Sequence, residues 1–265
     1  MPVFPSASEL AGVVATLRAA GCVFAEEEAG LLAGAADTPA ELAEMVRRRA
    51  SGLPVEQVVG WAEFCGLRVT VEPGVFVPRR RSEFLVRQAA AAAETGPAAQ
   101  QPVILDLCCG SGAIGLALAA MLGGARLHAT DIDPVAVRCA RVNLARTGRV
   151  YEGDLYDPLP AGLRGRVDVL TANAPYVPTA EIALMPPEAR LHEPAVALDG
   201  GTDGVQLHRR IAAGAPAWLA PGGVLLIETS ARQAPLTADA IAGAGLRPQL
   251  VTDEDWGATV AVGRP

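Results

Sequence analysis

Four consecutive residues, Asn173-Ala174-Pro175-Tyr176, follow an apolar run, Val167 to Ala172, with the composition of a buried strand. Asn occurs at only one other position, Asn143. An Asn carboxamide carries an acceptor and two donors. The Ala174 carbonyl, restricted by the Pro that follows, is a second acceptor. Two acceptors at a strand end can hold both hydrogens of a planar NH₂ group while the Tyr176 ring packs on its plane. An amide nitrogen is a poor nucleophile because its lone pair is delocalised. Holding both N–H bonds and aiming the nitrogen at an electrophilic carbon favours direct displacement by proximity and orientation. The acceptors also gain strength as positive charge develops on nitrogen. By itself the tetrapeptide also reads as a strand-to-loop turn closed by an Asx bond.

A second motif lies upstream. Gly110-Ser111-Gly112-Ala113-Ile114-Gly115 fits G-x-G-x-x-G between an apolar strand, Pro102 to Leu107, and an apolar helix to Leu122. Asp131 closes the next strand, where an acid can bind ribose hydroxyls. This pair of signals points to an adenosine-bearing cofactor without separating NAD from S-adenosylmethionine. The charges separate them. Asp106, Asp131, Asp133, Asp154 and Asp157 all stand at or just beyond strand ends that share one crevice in an open α/β sheet. A pyrophosphate would be repelled there by about 1–4 kcal/mol per close charge pair near 4 Å. A sulfonium and an ammonium group would be attracted, so S-adenosylmethionine is the expected cofactor. The alternative for Asp106 and Asp154 is that they cap turns.

Composition narrows the chemistry. All 22 basic residues are Arg, which removes Schiff-base, P-loop and kinase chemistry that depends on Lys. A net charge of −7 argues against a nucleic-acid backbone as a direct partner. Cys22, Cys65, Cys108, Cys109 and Cys139 contain no C-x-x-C pair, so neither a disulfide framework nor a zinc knuckle is expected. Cys108 and Cys109 read as packed turn residues rather than nucleophiles. His128, His192 and His208 lack the spacing of a metal site, and His192 reads as a surface or mouth residue. The chain shows no long apolar span, and Met1-Pro2-Val3-Phe4-Pro5 lacks the features of a secretory leader. A cytoplasmic location and no membrane contact are expected.

The elements that must position these groups read as follows. Residues from about Ser6 to Arg49 form helices, with Ser6 or Ser8 and Thr38 as caps. Arg47-Arg48-Arg49 sits at a helix end as solvated charge complementing the dipole. Trp61 to Cys65 and Leu67 to Val71 make a hairpin. Ser82 to Ala93 is an Ala-rich helix closed by Gly96-Pro97. From Pro102 strands and helices alternate, with later strands at 126–131, 149–154, 167–172 and 223–229. Helices are expected at 134–147, 204–219 and 234–244. Two closing strands, near 247–252 and 258–263, leave no room for a helix between them and should pair antiparallel. The fold class is α/β, a Rossmann-like open sheet of seven mostly parallel strands with an antiparallel last strand, preceded by a small N-terminal helical domain. The division is 1–53 helical, 54–77 hairpin linker and 78–265 catalytic.

Asp106-Leu107-Cys108-Cys109-Gly110-Ser111-Gly112, Asp131-Ile132-Asp133-Pro134 and Asn173-Ala174-Pro175-Tyr176 resemble the HemK/PrmC protein-(glutamine-N5) methyltransferases. So do Phe76-Val77-Pro78-Arg79 with Ser82-Glu83, Glu193-Pro194 through Gly201, and Pro221-Gly222-Gly223. The resemblance runs from about Pro54 to the end. It implies a cytoplasmic, monomeric enzyme that uses S-adenosylmethionine to methylate a glutamine of a protein, the family's substrate being a peptide chain release factor read partly by the N-terminal helices. It also implies that Asp106 and Cys108 to Gly112 wrap the methionine part of the cofactor. Asp131 and Ile132 take the ribose, and Asp154 and Leu155 flank the adenine. Asn173 touches both cofactor and acceptor, and Ala174, Pro175 and Tyr176 complete the amide site.

Three departures stand out. Ala174 replaces the first Pro of the usual Asn-Pro-Pro-Tyr, which should loosen the loop. Cys108 replaces the first Gly of the usual glycine loop. Arg80 and Arg81 interrupt the usual Pro-Arg-Pro-Glu-Thr-Glu stretch, placing basic residues near the substrate mouth. The rival readings are an amino-methyltransferase acting on a nucleic-acid base, one acting on a small molecule, and a binding module that kept the fold. The first needs a basic groove and stacking aromatics. The last needs no amide clamp.

Overall fold

The computed structural model describes residues 5–96 and 100–265. The start of the N-terminal leader reading and the Pro97 stop lie outside that range. Three helices open the chain, α1 (Ala7–Ala19), α2 (Ala25–Ala35) and α3 (Pro39–Ala50), followed by the short α4 (Val55–Val59). Ser6 and Glu9 cap α1 reciprocally, and Thr38 accepts the Glu41 N–H at the start of α3. The apolar faces meet around Leu17, Ala29, Leu32, Leu42, Val46 and Val58. Arg49 departs from the expected solvated charge. It is buried and forks onto both carboxylate oxygens of Glu28 at 2.6 and 3.0 Å, because the last turn of α3 faces α2 rather than water.

β1 (Trp61–Phe64) and β2 (Leu67–Thr70) form the expected hairpin, with Cys65 and Gly66 at its tight turn both at positive φ. A short helical turn at Arg80–Ser82 then leads into α5 (Glu83–Thr95). The catalytic sheet follows as β3 (Val103–Leu107), α6 (Ala113–Met121), β4 (Arg126–Asp131), α7 (Pro134–Asn143), β5 (Gly148–Glu152) and β6 (Val167–Ala172). The short α8 (Pro187–His192) and α9 (Gln206–Gly214) come next. β7 (Leu219–Thr229), α10 (Ala234–Gly243), β8 (Arg247–Asp253) and β9 (Ala258–Arg264) complete the chain. α7 ends four residues short of the expected Thr147, and β7 begins at Leu219, before the Pro221-Gly222-Gly223 stretch expected to be a turn.

The strand order is β5-β4-β3-β6-β7-β9-β8. β3, β4, β5, β6 and β7 pair in parallel, and β9 runs antiparallel to both β7 and β8. Successive residues of the central strands face opposite layers. Ile104 and Val169 join Leu85, Leu118 and Leu144 on one side; Leu105 and Leu170 join Ile211 and Ile241 on the other. Both faces are covered, which is why β3 is buried along its whole length and apolar at every position but Asp106. Every parallel strand ends at the same edge of the sheet, and the loops leaving that edge carry the candidate site.

Candidate active site

The glycine loop leaves β3 through a tight turn. Gly110 and Gly112 sit at φ +55° and +78°, and Cys108 at +54°, a conformation that costs a non-Gly residue on the order of 1 kcal/mol or more. A Cβ on Gly110 would meet nothing within 4 Å, so the backbone there borders open space. A Cβ on Gly112 would press on Leu144 at 3.1 Å, so that glycine serves the packing of loop on helix. Asn143 secures the loop from outside: its Nδ2 donates to the carbonyls of Ser111 (2.8 Å) and Thr70 (2.9 Å), and its Oδ1 accepts the Thr70 N–H. The chain's second Asn thus ties the hairpin to the cofactor loop.

Asp131, at the end of β4, receives the Gly110 N–H on one carboxylate oxygen (2.8 Å) and the Asp133 N–H on the other (2.9 Å). Burial pushes its pKa up; the backbone N–H groups oppose the shift. Asp133 lines the same space and also caps α7 through Val135. Asp154 lines it too but is paired with Arg210 at 2.7 Å.

Two expectations about the acids are corrected. Asp106 is fully buried beneath the loop and is not on the cavity wall; its oxygens accept the Gly115 N–H and the Thr171 hydroxyl. Desolvation pushes its pKa up to about 7. Asp157 is exposed and off the cavity wall, its backbone N–H closing a turn on the Asp154 carbonyl. The crevice is therefore less negative than five strand-end acids suggest, since one acid is buried, one is elsewhere and one is paired with Arg.

These elements enclose a cavity of about 680 Å³, within the size range of small-molecule sites. Cys108, Cys109, Gly110, Ser111, Asp131, Ile132, Asp154 and Leu155 line one part of it. Gly112 stands behind the wall. Asn173, Ala174, Pro175 and Tyr176 line the other part, so the two sequence motifs face one space. Burial raises the pKa of Cys108 and of Cys109, as do Asp131 and Asp106 nearby; both thiols stay protonated and are packed turn residues.

The Asn173 loop is not loose despite Ala174. Ala174 is buried, and Gln233 Nε2 donates to the Tyr176 carbonyl at 2.6 Å. The Val177 N–H reaches the Leu198 carbonyl, and the Gly200 N–H returns to the Val177 carbonyl. Tertiary contacts replace the restraint that a second Pro would supply. His208 lies buried behind Tyr176, its ring 6.4 Å away, and desolvation lowers its pKa to about 4, so it is neutral. His192 does not reach the cavity.

Two of the three basic residues of the mouth, Arg79 and Arg81, find internal carboxylates, while Arg80 is exposed with its guanidinium 5.6 Å from the Trp256 ring centroid. Arg79 lies over the Phe76 ring (4.8 Å) and bonds Glu193 at 2.5 Å. Arg81 lies 6.0 Å from the Tyr176 ring centroid, donates to the Tyr176 hydroxyl at 2.5 Å and reaches Glu228 at 3.4 Å. Glu193 and Glu228 are both buried, and desolvation raises each pKa against the pull of its arginine. Sequence reasoning quoted Glu193 and Ser82 only as parts of the resemblance, without a role in the site, and missed Glu228. A carboxylate closing the apolar run Leu225-Leu226-Ile227 was the available signal for Glu228.

A family profile described as the methyltransferase small domain matches residues 66–198. The release factor glutamine methyltransferase of Geobacter sulfurreducens is 39% identical over 202 residues, covering 74% of this chain and 68% of that protein. A 4-amino-L-phenylalanine/4-methylamino-L-phenylalanine methyltransferase of Streptomyces pristinaespiralis is 38% identical over 204 residues, covering 75% and 68%. A methyltransferase crystal structure from Pyrococcus furiosus superposes with a TM-score of 0.55 at 16% identity, covering 75% of this chain and 89% of that one. The sheet order, the glycine loop and the acid after β4 define a class I S-adenosylmethionine-dependent methyltransferase. Within that class the chain belongs to the HemK/PrmC family of protein-(glutamine-N5) methyltransferases.

The cavity fits the family's cofactor. Gly110 presents side-chain-free backbone to open space, and Asp131 and Asp133 line the cavity with no ion-pair partner among the described residues. Among the described residues no cluster of His, Cys, Asp and Glu is arranged to hold a metal. No helix is long and apolar enough to cross a membrane, again among the described residues.

Proposed function

We propose that this enzyme methylates the side-chain amide nitrogen of a glutamine in a protein, and that the protein is a peptide chain release factor, the acceptor that its relatives' names give. The observation that carries this reading is that Asn173 to Tyr176 face the same cavity as the glycine loop and Asp131. Asp131 and the loop from Cys108 to Ser111 would hold the cofactor, with Asp154 and Leu155 at its adenine end. Bound S-adenosylmethionine supplies a methyl group on a positively charged sulfur.

The chain's own residues make an amide nitrogen reactive. Asn173 Oδ1 and the Ala174 carbonyl accept its two N–H bonds, and Tyr176 and Phe76 offer aromatic walls to its plane. With the cofactor bound, its methyl group would pass to the nitrogen as the sulfur leaves as a neutral thioether; Asn173 Oδ1 and the Ala174 carbonyl would stabilise the positive charge developing on nitrogen, and the surplus N–H proton would be lost to water. Burial keeps Tyr176 protonated, so its hydroxyl takes no part as a base.

Residues 1–53 serve recognition of the protein substrate in this reading, 54–77 link, and 78–265 catalyse. Val23, Phe24 and Leu31, exposed between and along the first two helices, support a recognition role. The reading takes the enzyme as a cytoplasmic monomer, and the odd, unpaired cysteine complement is in keeping with a reducing compartment. A second reading, methylation of an amino group on a free amino acid, is favoured by the Streptomyces relative at nearly equal identity.

Methyl transfer from labelled S-adenosylmethionine to a release factor, a Gly-Gly-Gln peptide, 4-amino-L-phenylalanine and duplex DNA separates the readings. Label on the release factor glutamine alone is expected. Asn173→Ala should lower turnover by about 10²–10³, the cost of losing a preorganised partner at a reacting centre, with cofactor affinity within a few fold. Unchanged turnover removes Asn173 from the mechanism.

A further inference from the structure

Asn143, the last residue of α7, bonds three backbone groups with one side chain. Its Oδ1 accepts the Thr70 N–H at 2.9 Å, and its Nδ2 donates to the Thr70 carbonyl at 2.9 Å and to the Ser111 carbonyl at 2.8 Å. The hydrogen count closes. A carboxamide nitrogen has two hydrogens, and each goes to a carbonyl, which can only accept. A backbone N–H can only donate, so the oxygen must face Thr70. One orientation of the carboxamide therefore satisfies all three partners and the other satisfies none.

The two ends of this contact belong to different parts of the molecule. Thr70 closes β2, and Ser111, 3% exposed, belongs to the glycine loop. The carboxamide is planar, so turning Oδ1 away from the Thr70 N–H also swings Nδ2 off Ser111. Asp131 pins the same loop from the cavity side by taking the Gly110 N–H at 2.8 Å. The hairpin is itself part of the cavity, since Phe64, the buried last residue of β1, lines it. One residue, Gly60, separates β1 from α4, and its carbonyl accepts the Val71 N–H at 3.0 Å. The junction with the helical domain is thus bonded into the hairpin.

We propose that Asn143 is a positioning residue that locks the hairpin to the cofactor loop, so that a cofactor settling on the loop also stiffens the hairpin and its junction with the helical domain. Such coupling is reciprocal: the factor by which the cofactor favours the ordered hairpin is the factor by which the ordered hairpin favours the cofactor. The lock concerns the cofactor site alone. Its use in presenting residues 1–53 to a protein acceptor rests on the glutamine-methylation reading.

Backbone hydrogen exchange on the full chain, with and without saturating S-adenosylhomocysteine, reads the lock without turnover. The Thr70 amide reports on the Asn143 bond, the Gly110 and Gly112 amides on the loop, and the amides of β8 on global opening. In the wild type the ligand should slow Thr70 at least fivefold more than it slows β8. In Asn143→Ala and Asn143→Asp it should still slow Gly110 and Gly112, but Thr70 no more than β8. Asn143→Asp keeps an oxygen for the Thr70 N–H and lacks both hydrogens, so it cuts the loop and leaves the hairpin its partner. By calorimetry both variants should bind the ligand at least fivefold more weakly. A Thr70 amide slowed equally in the wild type and both variants, or slowed no more than β8 in the wild type, overturns the proposal. Should neither variant fold, ¹⁵N introduced only at Asn carries the test in the wild type. Asn143 and Asn173 are the only asparagines, Asn173→Ala assigns their carboxamides, and an Asn143 pair whose exchange ignores the ligand overturns the lock. A release factor should bind the loaded wild type at least threefold more tightly than the bare enzyme, and bind Asn143→Asp equally in both states. Should it bind neither state while the exchange pattern holds, the substrate reading fails and the lock stands.

Discussion

Asp131→Asn tests the cofactor site most sharply, because two effects of the change act in opposite directions on stability but not on binding. Each carboxylate oxygen of Asp131 accepts one backbone N–H, from Gly110 at 2.8 Å and from Asp133 at 2.9 Å. An Asn keeps one acceptor and turns two N–H bonds toward the other donor. One buried N–H is left unmatched, at a cost of about 1–3 kcal/mol. Against this, burial already raises the pKa of Asp131, so a neutral side chain relieves part of the desolvation cost. The two terms partly cancel in the folded protein, and the melting temperature should move by only a few degrees. Cofactor binding has no such offset. The glycine loop loses its tether or the ribose hydroxyls lose a charged acceptor, and about 1–3 kcal/mol corresponds to a loss of roughly 5- to 150-fold in affinity. Titration calorimetry with S-adenosylmethionine at 25 °C, paired with a thermal scan, reads both quantities. Affinity within twofold of wild type would refute the argument and mean that Asp131 only shapes the turn.

Two further predictions follow from the same loop. Gly110→Ala should cost only the strain of φ +55°, about 1–2 kcal/mol of stability, yet lose cofactor affinity, because its Cβ meets no protein atom but enters the open space of the cavity. Gly112→Ala should instead lose stability, by about 2–4 kcal/mol, because φ +78° strains the residue and the new Cβ meets Leu144 at 3.1 Å; chemical denaturation and calorimetry on both variants would show the opposite pattern if the two glycines had been assigned the wrong roles. Asp106, with a folded pKa of about 7 against the ordinary 3.8, binds its proton more tightly in the folded state. Its contribution is therefore fully present below pH 3.8 and is lost as pH rises through about 7. Asp106→Asn should keep the Gly115 contact and abolish that decline, so the stability difference between variant and wild type should grow across the window; parallel denaturation curves at both ends of it would contradict the burial argument.

Much of this protein was legible in its sequence for a local reason. Strand and helix reveal themselves through periodicity, and the positive-φ turn after β3 demands glycine at Gly110 and Gly112, so the cofactor loop announces itself in one dimension. The scarcity of Asn and the strand that delivers Asn173 marked the acceptor loop in the same way. What tertiary structure decided is which charges meet. Arg81 finds Glu228 147 residues away and Arg79 finds Glu193 114 residues away, so two of the three arginines that look like a basic mouth become neutralised pairs beside aromatic rings. Arg49 looks like the solvated end of a helix and is instead a buried fork on Glu28, and Asp106 looks like a cofactor ligand and is instead a buried support under the loop. Burial sets both the cost of a charge and the partner it must have, and burial depends on how sheet and helices stack; no spacing along the chain records it.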